Sequence, residues 1–161
     1  LLVTTGGASV GDHDLVQSAL GEIGLALDFW KIAMRPGKPL MFGTLGAMRV
    51  LGLPGNPVSA LICARIFLTP LIHALLGRPQ GARHLLKAET TVAIEANGPR
   101  EHYMRGRTSL AASGARLVTP MPSQDSSLLS PLALADVLIV RPIRAPATPA
   151  GGLVEVLPLD F

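Results

Sequence analysis

Two glycine-bearing loops and a group of cations carry most of the chemistry legible in this sequence. The first loop, Thr5-Gly6-Gly7-Ala8-Ser9-Val10-Gly11-Asp12-His13-Asp14, is entered from the apolar run Leu2-Val3-Thr4 and leads into a helical pattern. Gly6, Gly7 and Gly11 can take positive φ and let main-chain amides approach a ligand, Ser9 adds a hydroxyl, and the helix start adds donors and partial positive charge. Such a loop is a cradle for an anion. Asp12 and Asp14 repel a bare phosphate, but a Mg²⁺ held between them and the phosphate oxygens reverses that sign. The same stretch reads equally as an ordinary α/β connection, with Asp12 as an N-cap and Asp14 favouring the first helical turn. A glycine loop without a second feature is weak evidence.

The second feature is a turn, Arg35-Pro36-Gly37-Lys38-Pro39, which brings Arg35 and Lys38 near Lys31. Any one of these cations reads first as part of a solvated turn, but the three together favour an anion site. The third is Gly52-Leu53-Pro54-Gly55-Asn56-Pro57-Val58-Ser59, which ends one element and starts a helix, with Asn56 at the N-cap and Pro57 at the first helical position. Alone, it is a rigid helix entry whose prolines restrict the unfolded chain. If its strand lies beside the first and parallel to it, however, both loops fall at the carboxyl ends of strands, where α/β sheets bind ligands.

The elements that must position these groups follow from periodicity. Leu15, Val16, Ala19, Leu20 and Ile23 predict a helix over 13–23, stopped by Gly24. Residues 26–34 read as a strand, and 39–43 and 48–53 as a strand pair joined by the turn 44–47. A helix is expected from 57 to 76, bent at Pro70. Residues 78–87 read as a linker. Beyond it come short β-like runs at 90–95, 103–110, 116–120, 137–141 and 153–158, which predict a small barrel or sandwich. The expected class is α/β followed by all-β, with domains over 1–79 and 80–161. In the second domain Ser123-Gln124-Asp125-Ser126-Ser127 is the local candidate for ligand contact, although it reads first as a surface loop.

Composition bounds the function. With 161 residues, 48% hydrophobic and 16% charged, the chain can bury a sizeable core. The net charge of +3 comes from dispersed basic residues and aromatics make up 4%, so no basic stripe with stacking rings suggests nucleic acid. Anionic small molecules match that excess better. The single cysteine, Cys63, excludes an internal disulfide and a multi-cysteine metal site, and the four histidines lack the spacing of zinc ligands. The most apolar segment, 58–76, is interrupted by Arg65, Pro70 and His73, so neither a signal peptide nor a membrane span is expected. The chain opens on Leu1 in what reads as a core strand. It is therefore expected to be a fragment whose open sheet edge and apolar faces favour association.

Thr5-Gly6-Gly7-Ala8-Ser9-Val10-Gly11 with Asp14, then Phe29-Trp30-Lys31-Ile32-Ala33-Met34-Arg35-Pro36-Gly37-Lys38-Pro39, then Gly52-Leu53-Pro54-Gly55-Asn56-Pro57-Val58-Ser59, in this order, resemble molybdopterin molybdenumtransferases of the MoeA type, which are related to the C-terminal part of gephyrin. Tyr103-Met104-Arg105-Gly106, residues 124–126 and Leu134-Ala135-Asp136 extend the resemblance into that family's C-terminal β domain. It implies part of a three-layer α/β molybdopterin-binding domain followed by a β-barrel-like domain. The implied reaction is molybdenum insertion into adenylylated molybdopterin, with molybdate and Mg²⁺ and with release of AMP. The setting implied is a cytoplasmic homodimer serving other enzymes of the cofactor pathway.

By the same resemblance Asp14 matches the family's functional aspartate, Lys31 and Arg35 its two basic positions, Pro54 and Pro57 its loop prolines, and Ser126 a serine near its site. Arg35 stands where lysine is frequent, which turns a point charge into a fork. Asp125 stands where glycine is usual and puts a carboxylate beside Ser126. The family's N-terminal domains, with further acidic residues and much of a dimer interface, are expected outside this chain. Two alternatives stay open. One is a single-domain pterin-binding or adenylyltransferase module, which the trailing β domain and the loop at 54–57 argue against. The other is a gephyrin-like scaffold without turnover.

Overall fold

A computed structural model describes residues 1–7, 15–78 and 84–159. The chain divides into two compact units, Leu1–Pro79 and Gln80–Phe161.

In the first unit β1 (Leu2–Thr5), β5 (Met48–Leu53), β4 (Met41–Leu45) and β2 (Ala26–Trp30) lie side by side in that order. The β1–β5 pair is parallel, with Thr5 opposite Leu53, whereas β5–β4 and β4–β2 are antiparallel. Helix α1 (Leu15–Glu22) lays Val16 and Leu20 against Met41 and Val50 on one face. Leu15 and Ile23, which the periodicity placed on the same apolar stripe, are 72% and 65% exposed. The helix stops where expected: Gly24 takes φ 96 and donates to the Gly21 carbonyl, and Leu25 donates to that of Leu20.

The strand expected over 26–34 is broken. It ends at Trp30 because Lys31 turns to φ 66, and only the short β3 (Met34–Arg35) resumes extended backbone. The long helix is likewise segmented into α2 (Pro57–Cys63), a π-helical stretch (Ala64–Leu68) and α3 (Thr69–Leu75). The disturbance lies one turn before Pro70, where the ring removes a donor: Thr69 reaches back five residues, its amide and hydroxyl both on the Ala64 carbonyl. Val58, Ile62 and Ile66 are buried, and α2 packs on β5. Consecutive side chains of β5 point to opposite faces: Val50 meets α1 on one, and Leu51 and Leu53 are buried on the other. The run Pro57–Leu75 has the length and mean hydropathy, 1.8, of a membrane-crossing helix, although Arg65 and His73 fall within it.

The second unit is a closed barrel. Strands β7 (Glu101–Leu110), β8 (Arg116–Pro120), β6 (Leu86–Thr90), β10 (Leu153–Pro158) and β9 (Val137–Arg141) follow one another, and β9 pairs back to β7. Only β6–β8 is parallel. Ala88, Val118, Val137, Ile139, Val154 and Val156 fill the interior, and closure removes the edges that an open sheet would expose. Strand β7 pairs with β9 up to Gly106 and with β8 from Gly106 onward. A Cβ at that corner would stand 2.9 Å from Val118 and 3.2 Å from Ile139, so glycine lets the strand turn over a full core.

The strand expected over 90–95 lies earlier, at Leu86–Thr90. The β-branched run Thr90-Thr91-Val92 suggested a strand, but the Thr90 hydroxyl donates to the Val92 carbonyl and turns the chain out of the sheet. A short α4 (Ser130–Ala133) precedes β9.

Candidate functional site

The carboxyl ends of β1 and β5 meet where the two loops begin. The Gly6 amide donates to the Leu53 carbonyl at 3.1 Å, extending the parallel pairing by one residue. Beyond it the two backbones touch: a Cβ on Gly55 would lie 3.2 Å from the Gly6 Cα. Gly6 and Gly7 take φ 77 and 67, and a Cβ on Gly7 would collide with Val16 of α1. Glycine is therefore needed at Gly6 for its conformation and at Gly7 for both conformation and space. Ser9, Gly11, Asp12 and Asp14 lie outside the described residues.

At the second loop Pro54 is buried, Gly55 and Pro57 are exposed and Asn56 is half-buried. Asn56 caps α2: its Oδ1 accepts the Ser59 amide at 3.2 Å and the Ser59 hydroxyl at 3.4 Å. Two of the first-turn amides are thus accounted for, because Pro57 has none and that of Ser59 serves the cap. Ser59 is 5% exposed. Its hydroxyl acts within the loop.

The cation turn is a closed loop of backbone. The Lys31 amide donates to the Leu40 carbonyl at 3.0 Å and that of Ile32 to the Lys38 carbonyl at 2.9 Å, which brings the stems of Lys31 and Lys38 together. Lys31, Arg35 and Lys38 are all exposed, while Met34 and Gly37 between them and Leu40 just beyond are buried. The Lys31 ammonium stands 3.6 Å from the centroid of the Trp30 ring, and Trp30 is itself packed on the α1 side of the sheet. The ring gives a flexible side chain a fixed resting place. Beneath the turn lies Cys63, fully buried, with its thiol pKa pushed up to about 12 by desolvation. It is an inert thiol and no nucleophile.

In the second unit Ser126 is half-buried in a loop that Arg105 holds. Arg105, 2% exposed on β7, donates to the carbonyls of Asp125 (3.0 Å) and Ser123 (3.3 Å), and its amide donates to Gln124 Oε1 at 2.9 Å. Gln124 returns bonds to the Arg105 and Met121 carbonyls. The Asp125 carboxylate accepts the Ser127 amide and hydroxyl, both at 2.9 Å, and these bonds hold its pKa below the usual value. That carboxylate is thus bonded to Ser127. Asp136 acts within the fold, since its two oxygens accept the Thr108 amide and hydroxyl. Sequence reasoning placed Arg105 only within a motif and missed its clamp, and it missed Arg141 altogether, which is buried and binds the Thr148 hydroxyl and the Pro146 carbonyl. Arginines in short β runs look like solvated faces, and only the closed barrel buries them.

This geometry has close counterparts among known proteins. Residues 1–74 match the family of probable molybdopterin binding domains, and 87–159 match the C-terminal region of MoeA, its domain IV. A molybdopterin molybdenumtransferase of Haemophilus influenzae is 35% identical over 99% of the chain, and molybdopterin molybdenumtransferase 1 of Mycobacterium tuberculosis is 34% identical over 97%. A crystal structure of the molybdopterin biosynthesis MoeA protein from Pyrococcus horikosii superposes over 100% of the chain with a TM-score of 0.77 at 26% identity, and the chain covers 37% of it. The class defined is thus an α/β unit of the family of probable molybdopterin binding domains followed by a MoeA-type β barrel. The chain belongs to the molybdopterin molybdenumtransferase family of the MoeA type, and it spans 40% of the H. influenzae relative and 38% of the M. tuberculosis one.

Proposed function

We propose that this chain forms part of an enzyme of molybdenum cofactor synthesis that inserts molybdenum into adenylylated molybdopterin with release of AMP. The observation that supports this most is the contact of Gly6 with Gly55, which brings the starts of the two loops together at one end of a parallel strand pair. In this reading the 6–11 loop, with Gly6, Gly7, Ser9 and Gly11, and the 54–59 loop, with Pro54, Gly55, Asn56, Pro57 and Ser59, hold the phosphate and pterin parts of the substrate. Lys31, Arg35 and Lys38 hold molybdate and balance charge that develops as the phosphoanhydride breaks, by fixed electrostatics. Ser126 contributes a hydroxyl from the barrel. Arg105 and the Asp125–Ser127 bonds hold the shape of its loop.

Asp14, with Asp12, is the sequence's candidate for a Mg²⁺ site. Among the described residues no three His, Cys, Asp or Glu side chains gather as metal ligands, and the steps above run through no metal. The same reading takes the whole protein as a cytoplasmic homodimer that passes its product to enzymes downstream. The test is molybdate-dependent AMP release from adenylylated molybdopterin by full-length protein and by its Asp14→Ala and Lys31→Met variants. Release by the wild type that falls at least about tenfold in each variant supports the assignment. Release unaffected in a variant removes that residue from the mechanism.

A further inference from the structure

The three cations stand on the outer side of a turn whose inner side is seated on a helix. Gly37 has φ 113, and a Cβ there would collide with Cys63 Sγ and stand 2.6 Å from Met34 Cε. Both conformation and space therefore demand glycine. Cys63 faces it from below, its Sγ 4.0 Å from the Gly37 carbonyl. Cys63 is also the last residue of α2, whose first residue, Pro57, follows the Gly55-Asn56 entry. One short helix thus carries the second loop at one end and the floor of the cation turn at the other, with about 9 Å of rise between Pro57 and Cys63.

We propose that Gly37 and Cys63 are positioning residues: their contact fixes where Arg35 and Lys38 stand relative to the α2 entry, and so fixes the separation between the anion the cations hold and the substrate parts at the 54–59 loop. The anion's identity as molybdate rests on the molybdenumtransferase reading. A bulkier residue at 37 lifts the turn off its seat, and a smaller one at 63 lets it settle inward. Serine at 63 keeps an atom and a donor in the same place.

The experiment uses full-length protein with Gly37→Ala, Cys63→Ala and Cys63→Ser, and it reads both molybdate dependence of turnover and amide hydrogen exchange. Gly37→Ala is expected to raise the KM for molybdate about fivefold or more with a smaller change in kcat. It is also expected to speed exchange of the Lys31 and Ile32 amides, which close the turn, about tenfold, while the Ala60 amide, bonded to Asn56 in α2, stays within about twofold. Cys63→Ala should move both readouts in the same direction, and Cys63→Ser should restore most of the loss. Should Gly37→Ala fail to fold, the two Cys63 variants carry the same comparison. An unchanged KM in folded Gly37→Ala or Cys63→Ala protein, or equal acceleration of Ala60 and Ile32 exchange, overturns the proposal. If wild-type protein shows no turnover, the molybdenumtransferase reading fails separately, and exchange alone decides: loss confined to the turn upholds the seat, and uniform loss rejects it.

Discussion

Lys31 combines a backbone conformation that lysine rarely adopts with a side chain resting on an aromatic ring. A non-glycine residue at φ 66 costs about 1 kcal/mol or more, and such costs persist chiefly where geometry serves function. Lys31→Gly is therefore expected to leave thermal stability unchanged or raise it slightly, while lowering turnover about tenfold or more through loss of a fixed charge. Calorimetry beside the AMP-release assay checks this, and a destabilised but fully active variant would contradict it. Asn56→Ala should cost α2 about 1 kcal/mol through the lost cap, seen as about fivefold faster exchange in its first turn. Asp125 supplies a pH dependence. Its folded pKa lies below its unfolded value because Ser127 donates to the carboxylate, so its contribution is present above the ordinary carboxylate pKa and is lost as pH falls through the depressed one. The Ser127 amide resonance should accordingly titrate at a pH below that range, and Asp125→Asn should abolish the titration.

At the scale of elements, the parts with strong local signals were legible and those set by long-range pairing were not. Asn56 and Pro57 announce a helix start, Gly24 announces a stop, and the strand runs at 116–120, 137–141 and 153–158 fall where β-branched clusters lie between turn residues. The strand placed at 90–95 was wrong because β propensity reports a half-buried surface, and the surface here is supplied by partners at Leu86–Thr90. The break after Trp30 was hidden because nothing local marks a lysine for positive φ. The seat of Gly37 on Cys63 was hidden for another reason: 26 residues separate them in sequence, and only the packed helix unites them. Gly106 makes the same point in the barrel. Gly106→Val is expected to destabilise the second unit by about 1–3 kcal/mol through overpacking against Val118 and Ile139. Hydrogen exchange should show the loss in β7, β8 and β9 with α2 unaffected; equal loss in both units would contradict an overpacked barrel corner.

On the scale of the whole molecule, each unit has its own core and its own candidate loop, and the chain spans about 40% of its relatives. Family membership was readable because three motifs keep their order and spacing, whereas the carboxylates that would complete the site fall among residues that the structure does not describe. The proposed activity requires that the contact of Gly6 with Gly55 mark a substrate cradle. Calorimetric titration of full-length protein with adenylylated molybdopterin, wild type against Gly55→Val, tests this most directly. A β-branched side chain at 55 must push the Gly6 backbone away from the α2 entry, since a Cβ alone would stand 3.2 Å from the Gly6 Cα. Binding by the wild type that weakens at least about tenfold, or ~1.4 kcal/mol, in the folded variant is the predicted result. No binding by the wild type, or equal binding by both proteins, would contradict the account.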